Sequence, residues 1–86
     1  MPKTSTGFEF EIVPDAFDDW ELIELLAEVG DGNLLKVPAV LNRLIGAESA
    51  KALKEHCRVD GRVTIKAMDA ELTEILKAAG EAKKKN

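Results

Sequence analysis

Asp15-Ala16-Phe17-Asp18-Asp19-Trp20-Glu21-Leu22-Ile23-Glu24-Leu25-Leu26-Ala27-Glu28-Val29-Gly30 is the stretch that decides how this chain folds. At about 100° per residue, Trp20, Leu22, Ile23, Leu26, Ala27 and Val29 fill one broad apolar arc. Glu21, Glu24 and Glu28 form an acidic stripe opposite, with Phe17 and Leu25 at the edges of the arc. The pattern predicts an amphipathic helix. Asp15 reads as its N-cap, with further acids placed where the helix dipole favours negative charge. Gly30 reads as its stop. Such a helix is stable only if its apolar side meets other elements, so the flanking sequence must supply them.

The C-terminal side does so. Asp31-Gly32-Asn33 reads as a turn. Pro38 suits the first turn of a second helix ending at Gly46, with Val40, Leu41, Leu44 and Ile45 as its apolar residues. Ala47 to Arg58 reads as a third helix with Ala50, Leu53 and Cys57 inward, and Asp60-Gly61 as a turn. A fourth helix is predicted from about Ile65 to Ala79, with Ile65, Met68, Leu72, Ile75, Leu76 and Ala79 as its stripe and Gly80 as its cap.

On the N-terminal side, Phe8-Glu9-Phe10-Glu11-Ile12 alternates apolar and acidic, the period of a half-buried strand, and Pro14 ends it. A lone strand needs a partner, and Arg62-Val63-Thr64-Ile65 or another chain is the expected one. Residues 1–7 are polar and read as a flexible lead, residues 8–80 as a single helical domain, and residues 81–86 as a disordered basic tail. The fold class is therefore mainly α, a small domain of about four helices with a short N-terminal β-strand.

Composition sets the bounds. With 86 residues, 45% hydrophobic and 33% charged, the chain is of globular type with a modest core. The single Cys57 cannot form an internal disulfide, which fits a reducing, cytoplasmic setting. Neither a signal peptide nor a membrane-spanning run is legible. Charge is divided: residues 8–31 carry nine acids and no Lys or Arg, while residues 32–86 carry eleven bases against seven acids. A chain so polarised favours self-association of opposite halves.

No combination of residues points to catalysis. His56 and Cys57 are neighbours, which on a helix point about 100° apart, and with no second His or Cys a zinc complement is out of reach. The carboxylates of residues 8–31 lack the spacing of a calcium loop. No phosphate loop or nucleophile elbow is present, so neither a cofactor nor a metal is expected. Arg58, Arg62 and Lys66 lack the aromatic platform that nucleic-acid binding would use, and the acidic front would repel a polyanion. Glu21, Glu24 and Glu28 read as a solvated face or a docking surface for a basic partner. Trp20 reads as core packing or an interface anchor, and the shortage of aromatics favours the core.

The order of segments resembles the small tail-assembly chaperones of long-tailed bacteriophages and prophages. The resemblance runs through Gly7-Phe8-Glu9-Phe10-Glu11-Ile12 and Asp18-Asp19-Trp20-Glu21-Leu22 to Leu25-Leu26-Ala27-Glu28. It continues with Leu44-Ile45-Gly46-Ala47-Glu48, Ala52-Leu53-Lys54-Glu55-His56, Asp60-Gly61-Arg62-Val63 and Glu71-Leu72-Thr73-Glu74-Ile75-Leu76. It covers residues 7–80 and carries no signature residue. It implies a non-enzymatic protein of the bacterial cytoplasm that binds the aggregation-prone tape measure protein, with the tail tube protein as a further partner. Phe17, Trp20, Glu21, Glu24 and Glu28 are the candidate partner-binding residues. The resemblance also gives Lys83-Lys84-Lys85 a meaning, since genes of this kind often use slippage on such codons to append a second domain. The alternative is an adaptor module that binds a basic protein through the acidic helix.

Overall fold

The computed structural model describes residues 2–84, with side chains as far as Glu81. Among these it is mainly helical, with α1 at Trp20–Gly30, α2 at Val37–Ile45, α3 at Ala47–His56 and α4 at Ile65–Lys84. Single 3-10 turns lie at Ala16–Asp18 and Leu34–Lys36. The described residues form no sheet, only isolated antiparallel bridges between Lys3 and Glu9 and between Val59 and Arg62. The chain divides into two compact units. One is continuous, Ile12–Ala50, and the other joins the N-terminal residues up to Glu11 to the chain from Lys51 onward.

In the continuous unit, the first helix begins later than the sequence suggests. Asp15 has φ 58 and caps only the 3-10 turn, without a side-chain bond. Asp19, in extended conformation at φ −97, is the cap of α1. Its Oδ1 accepts from the amides of Glu21 at 3.0 Å and Leu22 at 3.3 Å, satisfying two otherwise unpaired donors. Gly30 is not the stop either, because it is the last helical residue. Gly32, at φ 96, reverses the chain: its amide donates to the Val29 carbonyl and that of Asn33 to the Glu28 carbonyl. This pair of bonds is a Schellman motif, which needs a left-handed residue where a side chain would be strained.

Pro38 stands in the first turn of α2 as expected, and Val40, Leu41, Leu44 and Ile45 are all buried. α1 packs on α2 and on the 3-10 turn between them. Leu22, Val40 and Leu44 are fully enclosed. The Val13 amide donates to the Leu44 carbonyl at 2.9 Å, which ties the entering segment to the end of α2.

The second unit starts from a hairpin that replaces the expected flexible lead. Thr4 donates its amide to the Phe8 carbonyl, Gly7 to Thr4, and Phe10 to Pro2, at 2.9, 2.9 and 3.1 Å. Phe8 and Phe10 are buried while Glu9 and Glu11 are exposed, so the alternation of the predicted strand is kept. Its pairing partner is the segment around Lys3, not Arg62–Ile65. Asp60 and Gly61 both have positive φ, 52 and 78, as a two-residue hairpin turn requires, and they close the Val59–Arg62 bridge.

Thr64 Oγ1 accepts from the Ala67 amide at 3.1 Å and starts α4. Leu72, Ile75 and Ala79 are buried, as the stripe predicted, but Ile65 is 65% exposed. Gly80 does not cap α4. The helix runs on through it to Lys84, because Glu-Ala-Lys after Gly80 favours helix and no proline or left-handed residue intervenes. The predicted disordered tail is thus helical through Lys84, and the rest of the lysine run and Asn86 lie outside the described residues.

Candidate interaction surface

The setting of α1 is fixed at its N-terminus. Arg43 of α2 donates from Nη1 to Asp19 Oδ2 at 2.9 Å and from Nη2 to Glu21 Oε1 at 3.1 Å. The Asp19 carboxyl is held below its ordinary pKa, first by the Arg43 hydrogen bond, with the Leu22 and Glu21 amides adding to it, against a desolvation effect second only to that bond. With Asp19 clamped and Leu22 buried, helical geometry decides the rest. Residues two apart lie about 200° around the axis, so Trp20 and Leu22 cannot share the inward direction. Leu22 takes it, flanked by the half-buried Leu25, Leu26 and Val29.

Trp20 is therefore 74% exposed and Ile23 41% exposed, and Ala27 is exposed on the same side. The core position favoured for Trp20 from composition is not where the side chain lies. The broad arc of the sequence reading splits into a buried half and an open half. Glu24 and Glu28 lie beside the open apolar strip, exposed and with no ion pair among the described residues. Glu21 is also exposed but is engaged by Arg43. Phe17 is half-buried in the 3-10 turn that precedes α1. Of the five residues singled out in the sequence, Trp20, Glu24 and Glu28 form one surface, and Ile23 and Ala27 complete it.

The second unit holds a polar cluster that the sequence reading missed. Glu71 is only 3% exposed, on the stripe of α4 between Met68 and Leu72. Thr4 Oγ1 donates to Glu71 Oε1 at 2.8 Å and itself accepts from the Phe8 amide. Thr6 Oγ1 lies 3.1 Å from both Glu71 oxygens and 2.9 Å from His56 Nε2. Thr6 Oγ1 donates to Glu71, which leaves its lone pairs open toward His56 Nε2. Ser5 donates its amide and its hydroxyl to the two Glu74 oxygens at 2.7 and 2.8 Å, and these bonds hold the Glu74 carboxyl below its ordinary pKa.

The cluster pins the hairpin to α4, and the His56 ring rests against Phe8 at 5.4 Å. Burial, and secondarily the Glu71 charge, push the Cys57 thiol above its ordinary pKa, away from the reactive thiolate. Among the described residues no three His, Cys, Asp or Glu side chains converge as metal ligands, and no helix is long and apolar enough to cross a membrane. The legible signal for the cluster was a glutamate inside an apolar stripe in a chain that opens with Thr4-Ser5-Thr6.

No protein-family profile matches the chain, and neither does any curated protein or solved structure.

Proposed function

We propose that this chain is a non-enzymatic binding domain that shields amphipathic helical segments of a larger protein, as a tail-assembly chaperone for a tape measure protein. The observation that carries the reading is the open face of α1, where Trp20 and Ile23 stand exposed beside Glu24 and Glu28. Large apolar side chains left open beside charge fit the groove-and-helix mode of recognition, in which an apolar stripe gives affinity and flanking charge gives orientation. The order of segments over residues 7–80 supports the client, because a tape measure protein is long, helical and prone to aggregate until the tail tube forms around it. The tail tube protein is a further candidate partner.

Co-expression with a tape measure protein tests this. The client should be soluble with the native chain and should precipitate with Trp20→Ala/Ile23→Ala, whose exposed positions leave folding intact. Equal solubility with and without the chain would overturn the reading.

The unpaired Glu24 and Glu28 support a second reading, an adaptor for a basic partner. The two differ in salt dependence. Affinity that survives high salt points to the apolar strip, and affinity lost at high salt points to the carboxylates.

A further inference from the structure

The second unit carries a surface that complements the α1 face. Val59 and Arg62 exchange both backbone hydrogen bonds across the Asp60-Gly61 turn, at 2.8 and 3.0 Å, so their side chains project from the same side of the ribbon. Arg58 stiffens the ribbon, donating from Nη1 to the Gly61 carbonyl at 3.2 Å while its Nε and Nη2 donate to Glu55. Val59 is 68% exposed and Ile65, at the start of α4, is 65% exposed. Arg62, paired with Val59, and Lys66, next to Ile65 in the chain, are also exposed and make no ion pair among the described residues. Within the eight residues 59–66 stand two exposed apolar side chains and two cations without an ion pair among the described residues. The α1 face is an apolar pair, Trp20 and Ile23, flanked by two uncommitted carboxylates. Glu21 and Arg58 are already neutralised locally by Arg43 and Glu55, while Asp60, in the turn itself, is an exposed carboxylate with no ion pair among the described residues, so Arg62 and Lys66 leave the segment with a net positive charge of one.

We propose that the Val59–Lys66 knob of one copy docks on the α1 face of a second copy, with Val59 and Ile65 against Trp20 and Ile23 and with Arg62 and Lys66 against Glu24 and Glu28. The two surfaces differ, so the contact is heterologous. Two apolar side chains and two exposed charges on each side make a small contact, so the association is weak, reversible and strongest at low salt. It covers the exposed apolar residues of both surfaces until a partner displaces the knob.

Trp20 is the sole tryptophan, so its fluorescence reports the contact directly. Raising the concentration of the native chain at low salt should shift the emission to the blue and increase the mass seen by sedimentation. Both changes should reverse in high salt. Glu24→Lys/Glu28→Lys and Arg62→Glu/Lys66→Glu each place like charges across the contact and should weaken it about tenfold or more. All four positions are exposed, so circular dichroism should match the native chain.

Mixing the two variants restores opposite charges on both facing pairs. The mixture should associate although each variant alone does not. A native chain that stays monomeric at low salt and high concentration would overturn the proposal. So would association that survives both reversals, or a mixture that fails to associate. None of these outcomes bears on the client, which is absent from the experiment.

Discussion

The two units of the chain are built on opposite plans. Ile12–Ala50 is continuous, and its buried residues, Ala16, Leu22, Val37, Val40, Leu41, Leu44 and Ile45, are all apolar. The other unit recruits the first eleven residues to the chain from Lys51 onward and buries Thr4 and Glu71 alongside Phe8, Phe10, Leu53, Leu72 and Ile75. The first is held by nearby apolar contacts. The second depends on hydrogen bonds between residues 67 positions apart, as between Thr4 and Glu71. A continuous apolar core tolerates conservative change in shape. A buried carboxylate does not tolerate the loss of its donors, because an unpaired buried polar group costs its full desolvation.

The largest test removes core volume from each unit. Leu44→Ala and Ile75→Ala replace fully enclosed side chains, and each should cost about 2–5 kcal/mol in chemical denaturation. An Ile75→Ala variant as stable as the native chain would mean that the α4 stripe is not core.

The next effect separates the two plans. Glu71→Ala strands the Thr4 hydroxyl in the interior and should cost about 1–3 kcal/mol. Glu71→Gln keeps an acceptor for one hydroxyl and should lose less. Thr4→Val, which removes one donor from the carboxylate, should fall in the same range as Glu71→Ala. The contrast between the units breaks if Thr4→Val is neutral.

Smaller again is the effect of acid on two partly exposed carboxylates. Asp19 and Glu74 are both held below their ordinary pKa values in the folded chain. Their contributions are therefore complete above the unfolded-state values, near pH 4, and are lost as pH falls through the lower folded values. Asp19→Ala should lower stability at neutral pH and flatten this acid loss for the continuous unit. Ser5→Ala should flatten the part due to Glu74. An acid profile unchanged in Asp19→Ala would mean that the cap and the Arg43 pair contribute nothing.

The smallest predicted effect has the opposite sign. Gly80 lies within α4, and a Cβ there meets no atom within 4 Å. Gly80→Ala should raise stability by about 0.5–1 kcal/mol. A loss would place the end of the helix at Gly80, as the sequence alone suggested.

Several of these features were legible in the chain. Val40, Leu41, Leu44 and Ile45 follow Pro38 at helical spacing, and all four are buried. Phe8 and Phe10 alternate with Glu9 and Glu11 and do so in three dimensions. The α1 face was half legible: Trp20, Glu24 and Glu28 were identified, but Trp20 was assigned inward. Trp20 and Leu22 lie about 200° apart on any helix, so the arc spans two opposed directions, and the burial of Leu22 turns Trp20 outward. The cap is ambiguous for a separate reason: several acids in a row offer several candidates, and Asp19 is the one whose side chain accepts from the Glu21 and Leu22 amides. Glu71 was hidden because periodicity scores a glutamate as outward wherever it falls.

By itself the sequence determined the mainly helical class, the turn at Asp60-Gly61, the placement of α2 and the apolar faces of α2 and α4. These follow from local conformational preference and from the spacing of apolar residues, which act within a few positions along the chain. Tertiary structure alone decided which acid caps α1, that Trp20 faces outward, and that Thr4 and Thr6 close over Glu71. Each of these is a choice among chemically similar candidates, made by a partner far away in sequence whose distance no local pattern encodes.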